Sequence, residues 1–482
     1  MIDKMKYLFR TFLFIVILLK SVNNDLFAQT YDSWIIGQGD SSTQLMELRD
    51  SGLNITDLEV SLPIESATST ISDGKGNVVL ISNGCYLYNS DGEKLEQNLL
   101  SKGPWAAKYC DDYGLLCPRC MAFVQHPVDS NVYYVFVQGL FGISGQRIDT
   151  RNIYMRKVQI VNDKPTILNT TNLLVEGKIE SIDIVRHGNG RDWWLVYSNP
   201  QNGTIGTILL IGNEVRLLPE QQIEYFSTSS CGFRRIIRIS PNGDRIAIVD
   251  GGCGVYFYDF DRCSGIVSSR FVRINIPNNI QGRDGVFTHS GKYFLLTGWQ
   301  YLQRIDISQI GVAHNPIDSF EIPAGISIHR IERFQNKLLC TDHRSERYFI
   351  ELDDVENENL SIDVIGSARL IEHMRSLPLV YNKRLGVLTG SKCDSLMTSI
   401  NSYDNLRINV FPNPFHSKVH ISVISKRNRL KALIYNTQAQ LIHSEILKSD
   451  INTIDFSGRN SGLYLVQVIG DNYYKSMKIL KL

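Results

Sequence analysis

Residues 240–252 read SPNGDRIAIVDGG, a tight polar turn followed by an apolar run that ends in small residues. Asn, Gly and Asp favour such a turn because they adopt the backbone angles that hairpins require. The unbroken run of Ile, Ala and Val is typical of a strand that is buried on both faces. The stretch therefore predicts a β-hairpin whose second strand lies inside a stack of sheets.

The pattern of strand, polar turn and apolar strand recurs along most of the chain. Its turns lie about 46 to 60 residues apart, which is the spacing of the blades of a β-propeller. A single four-stranded sheet cannot bury both of its faces, so blades stack around an axis and cover one another. Seven copies predict an all-β fold, a β-propeller of about seven blades within residues 29–390. The turns fall at residues 72–77, 127–131, 187–192, 240–244, 289–292, 334–337 and 381–383.

The two ends of this region complement each other. Residues 34–48 resemble the second half of a blade, and the copy near Asn382 lacks a final strand. We therefore expect N-terminal strands to complete the last blade, because this closure removes the open edges of a linear stack. A pair of β-sandwiches or a β-helix is the alternative, but sandwich strands would not repeat so regularly and a β-helix would repeat at a shorter period.

The first 28 residues differ from the rest of the chain. A basic start precedes the apolar run 12–19, and a small residue, Ala28, stands before Gln29. This three-part form predicts a secretory signal peptide, residues 1–28, that is cleaved between Ala28 and Gln29. A membrane anchor is the alternative, but a spanning helix needs about 20 apolar residues. We expect the mature protein to be soluble and exported.

The composition changes after Gly390. Residues 391–407 are rich in Ser and Asn and predict a linker. Residues 408–482 contain about seven short alternating strands, the size and pattern of an immunoglobulin-like β-sandwich. A second, smaller β-domain is therefore predicted at the C-terminus.

This last segment carries a specific set of short motifs. It opens with VFPNPF at 410–415, continues with LIYN at 433–436 and SGLY at 461–464, and ends in a basic tail. In these features it resembles the type A C-terminal sorting domain of the type IX secretion system, although the family commonly has a Gly within residues 437–440. The positions that carry the resemblance are Val410, Pro412, Asn413, Pro414, Phe415, Tyr435, Asn436, Gly462, Tyr464, Lys475 and Lys478.

The resemblance implies a route for the protein. It implies export into the periplasm, folding there, and passage across the outer membrane with the type IX secretion machinery as partner. It also implies removal of this domain and either attachment of the rest to surface polysaccharide or release into the medium. A generic sandwich that binds carbohydrate is the alternative.

Two further resemblances concern the repeated region. The turn and strand at 240–247 resemble blades of the lactonase-like and TolB-like propellers. Residues 71–83 and 181–198 resemble a set of propellers that carry surface-sorting domains. These resemblances imply architecture but no activity.

Export makes the nine cysteines candidates for disulfides, and an odd number leaves at least one unpaired or bonded to another chain. Cys231 and Cys253 each lie eleven residues from Asn242, the centre of a hairpin turn. Equal offsets place them opposite each other on paired strands, where a disulfide is favoured over two buried thiols.

A second group of cysteines, Cys110, Cys117 and Cys120, lies in a predicted loop. The favoured interpretation is one disulfide that staples an inserted loop, with the third thiol paired elsewhere, for which Cys85 is a candidate. A metal site completed by His126 is the alternative, but zinc ligands are usually spaced in closer pairs.

Adjacent aromatic residues face opposite sides of a strand, so Trp193 and Trp194 point in opposite directions. Packing between blades is the favoured role for both, and a sugar-stacking platform for one of them is the alternative. Arg186, His187 and Asp192 lie near the same turn and are assigned to a solvated loop.

The chain contains 50 Lys and Arg against 49 Asp and Glu, and this balance argues against a nucleic-acid partner. We find no HExxH, GxSxG, phosphate-binding or EF-hand motif, and we expect no metal or cofactor. The favoured function is therefore a non-enzymatic surface or secreted module that binds a glycan or protein. A polysaccharide- or peptide-cleaving hydrolase or lyase with carboxylates in the channel, and a structural envelope component, are the alternatives.

Overall fold

The structure is a computed structural model, and it describes most of the chain. The described residues are 33–38, 42–49, 52–73, 77–144, 147–223, 235–251, 254–274, 284–298, 301–310, 317–322, 328–334, 337–342, 348–353, 356, 361–366, 377, 379, 385–393, 407–424, 430–436, 440–448, 450–470 and 473–482. The predicted signal peptide and its cleavage point at Ala28 and Gln29 lie outside these residues.

The chain forms two compact units, residues 1–390 and 391–482. In the first unit the early strands form three antiparallel sheets. The first sheet contains β1 (Trp34–Gln38), β2 (Ser42–Arg49) and β3 (Gly52–Asp57), and the second contains β4 (Ser69–Ser72), β5 (Val78–Ser82) and β6 (Leu87–Asn89). The third contains β7 (Met121–Gln125), β8 (Val132–Ser144), β9 (Arg147–Val161), β10 (Lys164–Ile167) and β11 (Asn172–Lys178).

Four more sheets follow in chain order among the described residues. The fourth contains β12 (Ser181–Arg186), β13 (Trp193–Asn199), β14 (Thr204–Ile211), β15 (Glu214–Leu217) and β16 (Gln221–Gln222). The fifth contains β17 (Ile236–Ile239), β18 (Arg245–Asp250), β19 (Gly254–Asp261) and β20 (Ile266–Ile274). The sixth contains β21 (Asp284–Phe287), β22 (Tyr293–Thr297), β23 (Tyr301–Asp306) and β24 (Ile317–Glu321), and the seventh contains β25 (Ile328–Phe334), β26 (Lys337–Asp342), β27 (Tyr348–Asp353) and β28 (Ser361–Gly366). A helix, α1 (Pro104–Tyr113), separates the second and third sheets, and a short 3₁₀ helix (Ile307–Gln309) follows β23.

The fourth to seventh sheets are up-and-down meanders in which each strand pairs with the next one along the chain, except that β16 pairs with β14. Their first strands are neighbours, since β12 contacts β17, β17 contacts β21, and β21 contacts β25. Sheets stacked side by side through their first strands make a β-propeller, which confirms the predicted all-β class. The predicted count of about seven blades stays a prediction, because part of the copy near Asn382 lies outside the described residues.

Strands β1 to β3 pair with one another as a three-stranded sheet. The prediction that residues 34–48 complete the last blade depends on how residues 380–384 are paired. Those residues lie outside the described part of the chain, so the ring closure stays a prediction.

The faces of neighbouring sheets bury separate apolar clusters. Trp193 packs with Phe136 on the third sheet, whereas Trp194 packs with Tyr258 on the fifth. Both tryptophans are only 1% exposed. They therefore fill the two interfaces of the fourth sheet, and neither ring is placed to stack on a sugar.

Within its described residues, the second unit contains seven strands in two antiparallel sheets. Its strands are β29 (Arg407–Phe411), β30 (Lys418–Ile424), β31 (Leu430–Tyr435), β32 (Leu441–Leu447), β33 (Asp450–Asp455), β34 (Gly462–Gly470) and β35 (Tyr473–Lys481). One sheet has the order β29-β30-β33 and the other the order β32-β31-β34-β35. Alternate residues such as Ile421 on β30 and Val466 on β34 point into one shared core, as in a β-sandwich.

Candidate functional site

Five of the charged side chains that lie buried near the first strands of the propeller sheets interact with one another. Asp183 is on β12, Arg238 on β17, Asp284 on β21 and Glu332 on β25, while Arg119 lies just before β7. All five are buried in the described structure. We call them the inner-strand cluster. Because first strands line the axis of a propeller, this cluster is the place where a channel site would be expected.

Asp284 is the most heavily bonded member of the cluster. The Arg119 guanidinium donates to its two carboxylate oxygens at 2.7 and 2.6 Å, and Arg238 donates to Oδ1 at 3.1 Å. The backbone N–H groups of Gly285 and Ile331 donate to it as well, at 2.8 and 3.2 Å. Burial alone would raise the pKa of this carboxyl, but Arg119, Arg238 and Arg330 outweigh burial and hold the pKa well below its usual range.

Glu332 completes the ion pairs. It lies 2.8 Å from Arg238 and 3.0 Å from Arg119, measured from guanidinium nitrogen to Oε2. Its other oxygen accepts the backbone N–H of Arg333 at 3.0 Å. Although burial would lower it, the pKa of Arg238 is raised by Asp284, Glu332 and Asp183. Two carboxylates and two guanidinium groups therefore neutralise one another in the interior.

Asp183 is bonded differently from the other two acids. Its oxygens accept the backbone N–H groups of Ile184 at 2.7 Å and Ile239 at 2.8 Å, and the residue is 5% exposed. Burial raises its pKa from 3.8 to about 6, although Arg238 opposes this rise. A carboxyl that titrates near neutral pH is thus present in the interior, but its oxygens bridge the first strands of two adjacent sheets.

The raised pKa of Asp183 predicts a pH dependence of stability with a definite sign. The folded protein holds a proton that the unfolded chain releases above about pH 4. The contribution of this proton to stability is therefore complete below about pH 4 and is lost as pH rises through about 6. We expect Asp183→Asn, which cannot titrate, to be more destabilised relative to wild type at pH 4 than at pH 7, by about 2 kcal/mol.

Urea unfolding followed by tryptophan fluorescence at pH 4, 5, 6 and 7 measures this difference. All five tryptophans lie before Gly390, so the signal reports on the first unit alone. Asp259→Asn, at an exposed carboxylate on β19, serves as the control for removal of an aspartate at the surface. If the difference in unfolding free energy between Asp183→Asn and wild type does not change with pH, the raised pKa of Asp183 is wrong.

The cluster contains three carboxyls, and the pKa values of Asp183 and Asp284 are shifted, as the hydrolase alternative requires, yet the geometry favours a structural role. Asp284 and Glu332 are neutralised by arginines, and the oxygens of Asp183 are bonded to backbone amides. Sequence reasoning missed the cluster. The signal was a charged residue inside each apolar first strand, as in SIDIVR on β12 and IIRI on β17.

The predicted inserted loop begins with a helix. Residues 104–113 form α1, with Pro104 at a position where proline is favoured because its missing N–H is not needed. Cys110 on this helix is bonded to Cys85, and Cys117 is bonded to Cys120. The placement of Cys110 in a loop was therefore wrong, and the proline was the signal for a helix start.

The metal alternative requires thiolates at Cys110, Cys117 and Cys120, and the structure places all three in disulfides. Its fourth ligand, His126, instead accepts the backbone N–H groups of Val128 and Asp129 at 3.2 and 3.1 Å. No cluster of His, Cys, Asp and Glu suited to a metal ion occurs in the described ranges.

The remaining cysteines are distributed over both units. Cys263 and Cys393 are disulfide-bonded, and Cys340 is a buried free thiol whose pKa is raised by burial. Cys231 and Cys253 lie outside the described residues, so the bridge predicted between them stays a prediction.

The turn that carries Arg186, His187 and Asp192 is tied into the structure. The His187 ring lies 3.0 Å from the carbonyl oxygen of Cys263, and Arg191 donates to the buried Asp192 at 2.9 Å. Arg186 covers the face of Trp193 at 3.5 Å from the ring centroid. These contacts join the turn to the fifth sheet, so it is not a solvated loop.

In the second unit, the opening motif is joined to the tail strand. The side chain of Asn413 donates to the carbonyl oxygen of Lys478 and accepts the backbone N–H of Leu480, both at 2.9 Å. Phe415 is buried, and its N–H donates to the carbonyl oxygen of Leu480 at 2.9 Å. Pro412 and Pro414 flank Asn413 at the surface.

The other motif residues divide into core and surface positions. The Tyr464 ring packs in the core and its hydroxyl donates to the carbonyl oxygen of Asn460 at 2.6 Å. The side chain of Asn436 closes the turn by accepting the N–H of Gln440 at 2.9 Å. Val410, Tyr435 and Gly462 are half-buried, Lys478 is exposed, and Lys475 lies on β35.

The outer face of the four-stranded sheet is partly apolar. Leu463 on β34 stands directly opposite Leu480 on β35, and both are exposed. The neighbouring pair on this face is Leu465 and Lys478. Lys478, which is one of the motif residues, is exposed on this face as well.

Residues 409–481 match the family described as the secretion system C-terminal sorting domain. No curated protein resembles the chain closely enough to count as a relative. The match confirms the sorting domain predicted from the motifs. The chain is therefore a β-propeller protein that the type IX secretion system exports to the cell surface or the extracellular space.

Several solved structures are similar at low identity. Hsv2 of Kluyveromyces lactis is 11% identical with a TM-score of 0.36, over 70% of this chain and 95% of that one. The β-propeller domain of Cps50 (Swd1) from Myceliophteria thermophila is 12% identical with a TM-score of 0.38, over 65% and 90%. A candidate 6-phosphogluconolactonase from Bacteroides uniformis is 14% identical with a TM-score of 0.44, over 71% and 98%. At such low identities and TM-scores, these similarities do not indicate a function for the chain.

No helix among the described residues has the length and apolar character that crossing a bilayer requires.

Proposed function

We propose that the exported propeller is a non-enzymatic module that binds a glycan or a protein outside the cell. Its C-terminal unit engages the type IX secretion machinery during export, after cleavage of a signal peptide at Ala28. The delivered propeller then acts at the surface, attached to surface polysaccharide, or in the medium. Residues 391–407 serve as the linker between the two parts.

The inner-strand cluster is the observation that supports a binding role. General acid–base catalysis needs a carboxyl that can reach a substrate and exchange a proton with it. Asp284 and Glu332 are buried beside Arg119 and Arg238, and Asp183 is bonded to two backbone amides. The interior carboxyls thus stabilise the stack of sheets, which leaves the surface of the propeller as the place for ligand contact.

The test uses the purified chain without its signal peptide, residues 29–482 with the sorting domain retained, which we call the mature chain. We expect it to bind at least one member of a panel of soluble polysaccharides and unstructured peptides, with no release of reducing ends or peptide fragments over a day. If wild type cleaves a panel member over time and Asp183→Asn does not, the proposal is overturned in favour of a hydrolase. Failure to bind any member would overturn it in favour of a structural role.

A further inference from the structure

Helix α1 presents a row of aromatic side chains on one face. Trp105, Tyr109 and Tyr113 are spaced four residues apart, so they lie one above another. The ring centroids of Trp105 and Tyr109 are 5.2 Å apart, and those of Tyr109 and Tyr113 are 6.2 Å apart. We call these three rings the aromatic ladder. Such separations are comparable with the length of a single sugar ring.

The helix that carries the ladder is held firmly. Its buried residues, Ala106 and Cys110, face the propeller, and Cys110 is bonded to Cys85. The carbonyl oxygen of Tyr113, at the last position of α1, accepts the backbone N–H of Glu65 at 3.0 Å. Rings fixed in this way lose little further freedom when a ligand binds, which favours affinity.

The ladder is accessible and has polar neighbours. Tyr113 is 42% exposed, while Trp105 and Tyr109 are half-buried. The Lys108 ammonium lies 5.6 Å from the Trp105 centroid and 4.8 Å from the Tyr109 centroid. Lys108 and Asp112 are exposed beside the rings, so both hydrogen-bond donors and acceptors border the row without a strong net charge.

The width of the aromatic ladder indicates which class of ligand it can bind. A stable protein partner covers about 800 Å² on each side of an interface. Three aromatic rings bury at most about 150–250 Å² each, and two of these rings are already partly covered. The row is one ring wide, with charged residues beside it. It therefore matches a narrow linear ligand better than a protein surface.

We propose that the aromatic ladder of α1 binds an extended, uncharged polysaccharide, with sugar rings stacked on Trp105, Tyr109 and Tyr113. The C–H faces of the sugars contact the rings, and Lys108, Asp112 and the tyrosine hydroxyls bond the sugar hydroxyls. This inference rests on the proposed binding function and names its ligand class and its surface.

Affinity electrophoresis of the full mature chain, in native gels that contain hydroxyethyl cellulose, xylan or glucomannan, tests the inference. We expect wild type to be retarded by at least one of the three. Tyr109→Ala and Tyr113→Ala should each weaken retardation roughly three- to tenfold, the factor that corresponds to losing one aromatic contact. Tyr109→Phe and Tyr113→Phe keep the ring and should retain most of the binding.

Leu217→Ala, at a residue of similar exposure on β15, is the matched control and should bind like wild type. Tyrosine variants are compared with wild type only if their unfolding, followed by tryptophan fluorescence, matches that of wild type. We expect the variants of Tyr113 to meet this condition, because its ring is the most exposed of the three. If wild type is retarded but both alanine variants bind equally well, the ladder inference is wrong and the proposed function stands. If none of the three polysaccharides retards wild type, the ladder inference is also wrong, and peptide binding then decides the proposed function.

Discussion

A chain that ends at Ser402 is expected to remain in the periplasm, whereas the full chain reaches the cell surface or the medium. The truncation removes β29 to β35 and the buried core around Ile421 and Val466. It leaves the propeller clusters intact, because those clusters contain residues of the first unit only. The truncated protein should therefore fold but lack its sorting signal.

Immunoblots of the periplasmic, surface and medium fractions measure this effect. Export of the full chain should be accompanied by a loss of roughly 8 kDa, the mass of a domain of ~75 residues. Asp259→Ala, an exposed change in the first unit, is the control and should be distributed like wild type. If the truncated and full chains occur in the same fractions, the second unit has another role, and carbohydrate binding by the sandwich becomes the first alternative.

Replacement of Asp284 by alanine is expected to lower the free energy of unfolding of the propeller by about 3–5 kcal/mol, the cost of breaking a buried ion pair. The variant leaves Arg119 and Arg238 with one carboxylate in place of two. It also leaves the N–H groups of Gly285 and Ile331 without the acceptor that they use in the wild type.

Urea unfolding of the mature protein, followed by tryptophan fluorescence at pH 7, measures the loss in the first unit. Asp259→Ala is again the matched control, since its carboxylate is 79% exposed and lies 3.9 Å from Arg245. Exposed ion pairs contribute at most about 1 kcal/mol. A loss for Asp284→Ala as small as that of the control would show that the inner-strand cluster does not stabilise the fold.

Local signals account for the parts of the structure that the sequence predicts well. The turn at 240–244 and the run at 245–250 form the hairpin of β17 and β18, because both turn chemistry and burial are encoded within a few residues. The sorting domain is predicted equally well, since its motifs lie in or beside the strands that build the sandwich. Trp193 and Trp194 face opposite sides because side chains alternate along a strand.

Features that depend on long-range contacts are predicted poorly. Arg119 and Asp284 are 165 residues apart in sequence, and only the stacking of the sheets brings them together. A charged residue in an apolar strand is a visible signal, but the sequence does not say which partner neutralises it. Helix α1 was missed for another reason, since ten residues within a β-rich region present too short a helical pattern.

The inner-strand cluster has a consequence for the way in which the propeller assembles. Arg119 precedes the first strand of the third sheet, whereas Asp284 and Glu332 belong to the sixth and seventh. A partial stack of sheets would lack the carboxylates that neutralise Arg119 and Arg238, so burying these guanidinium groups in it would be costly. The earlier sheets therefore gain their full stability only after the later ones have been added. This dependence favours cooperative, all-or-none folding of the exported propeller over stepwise folding of independent repeats.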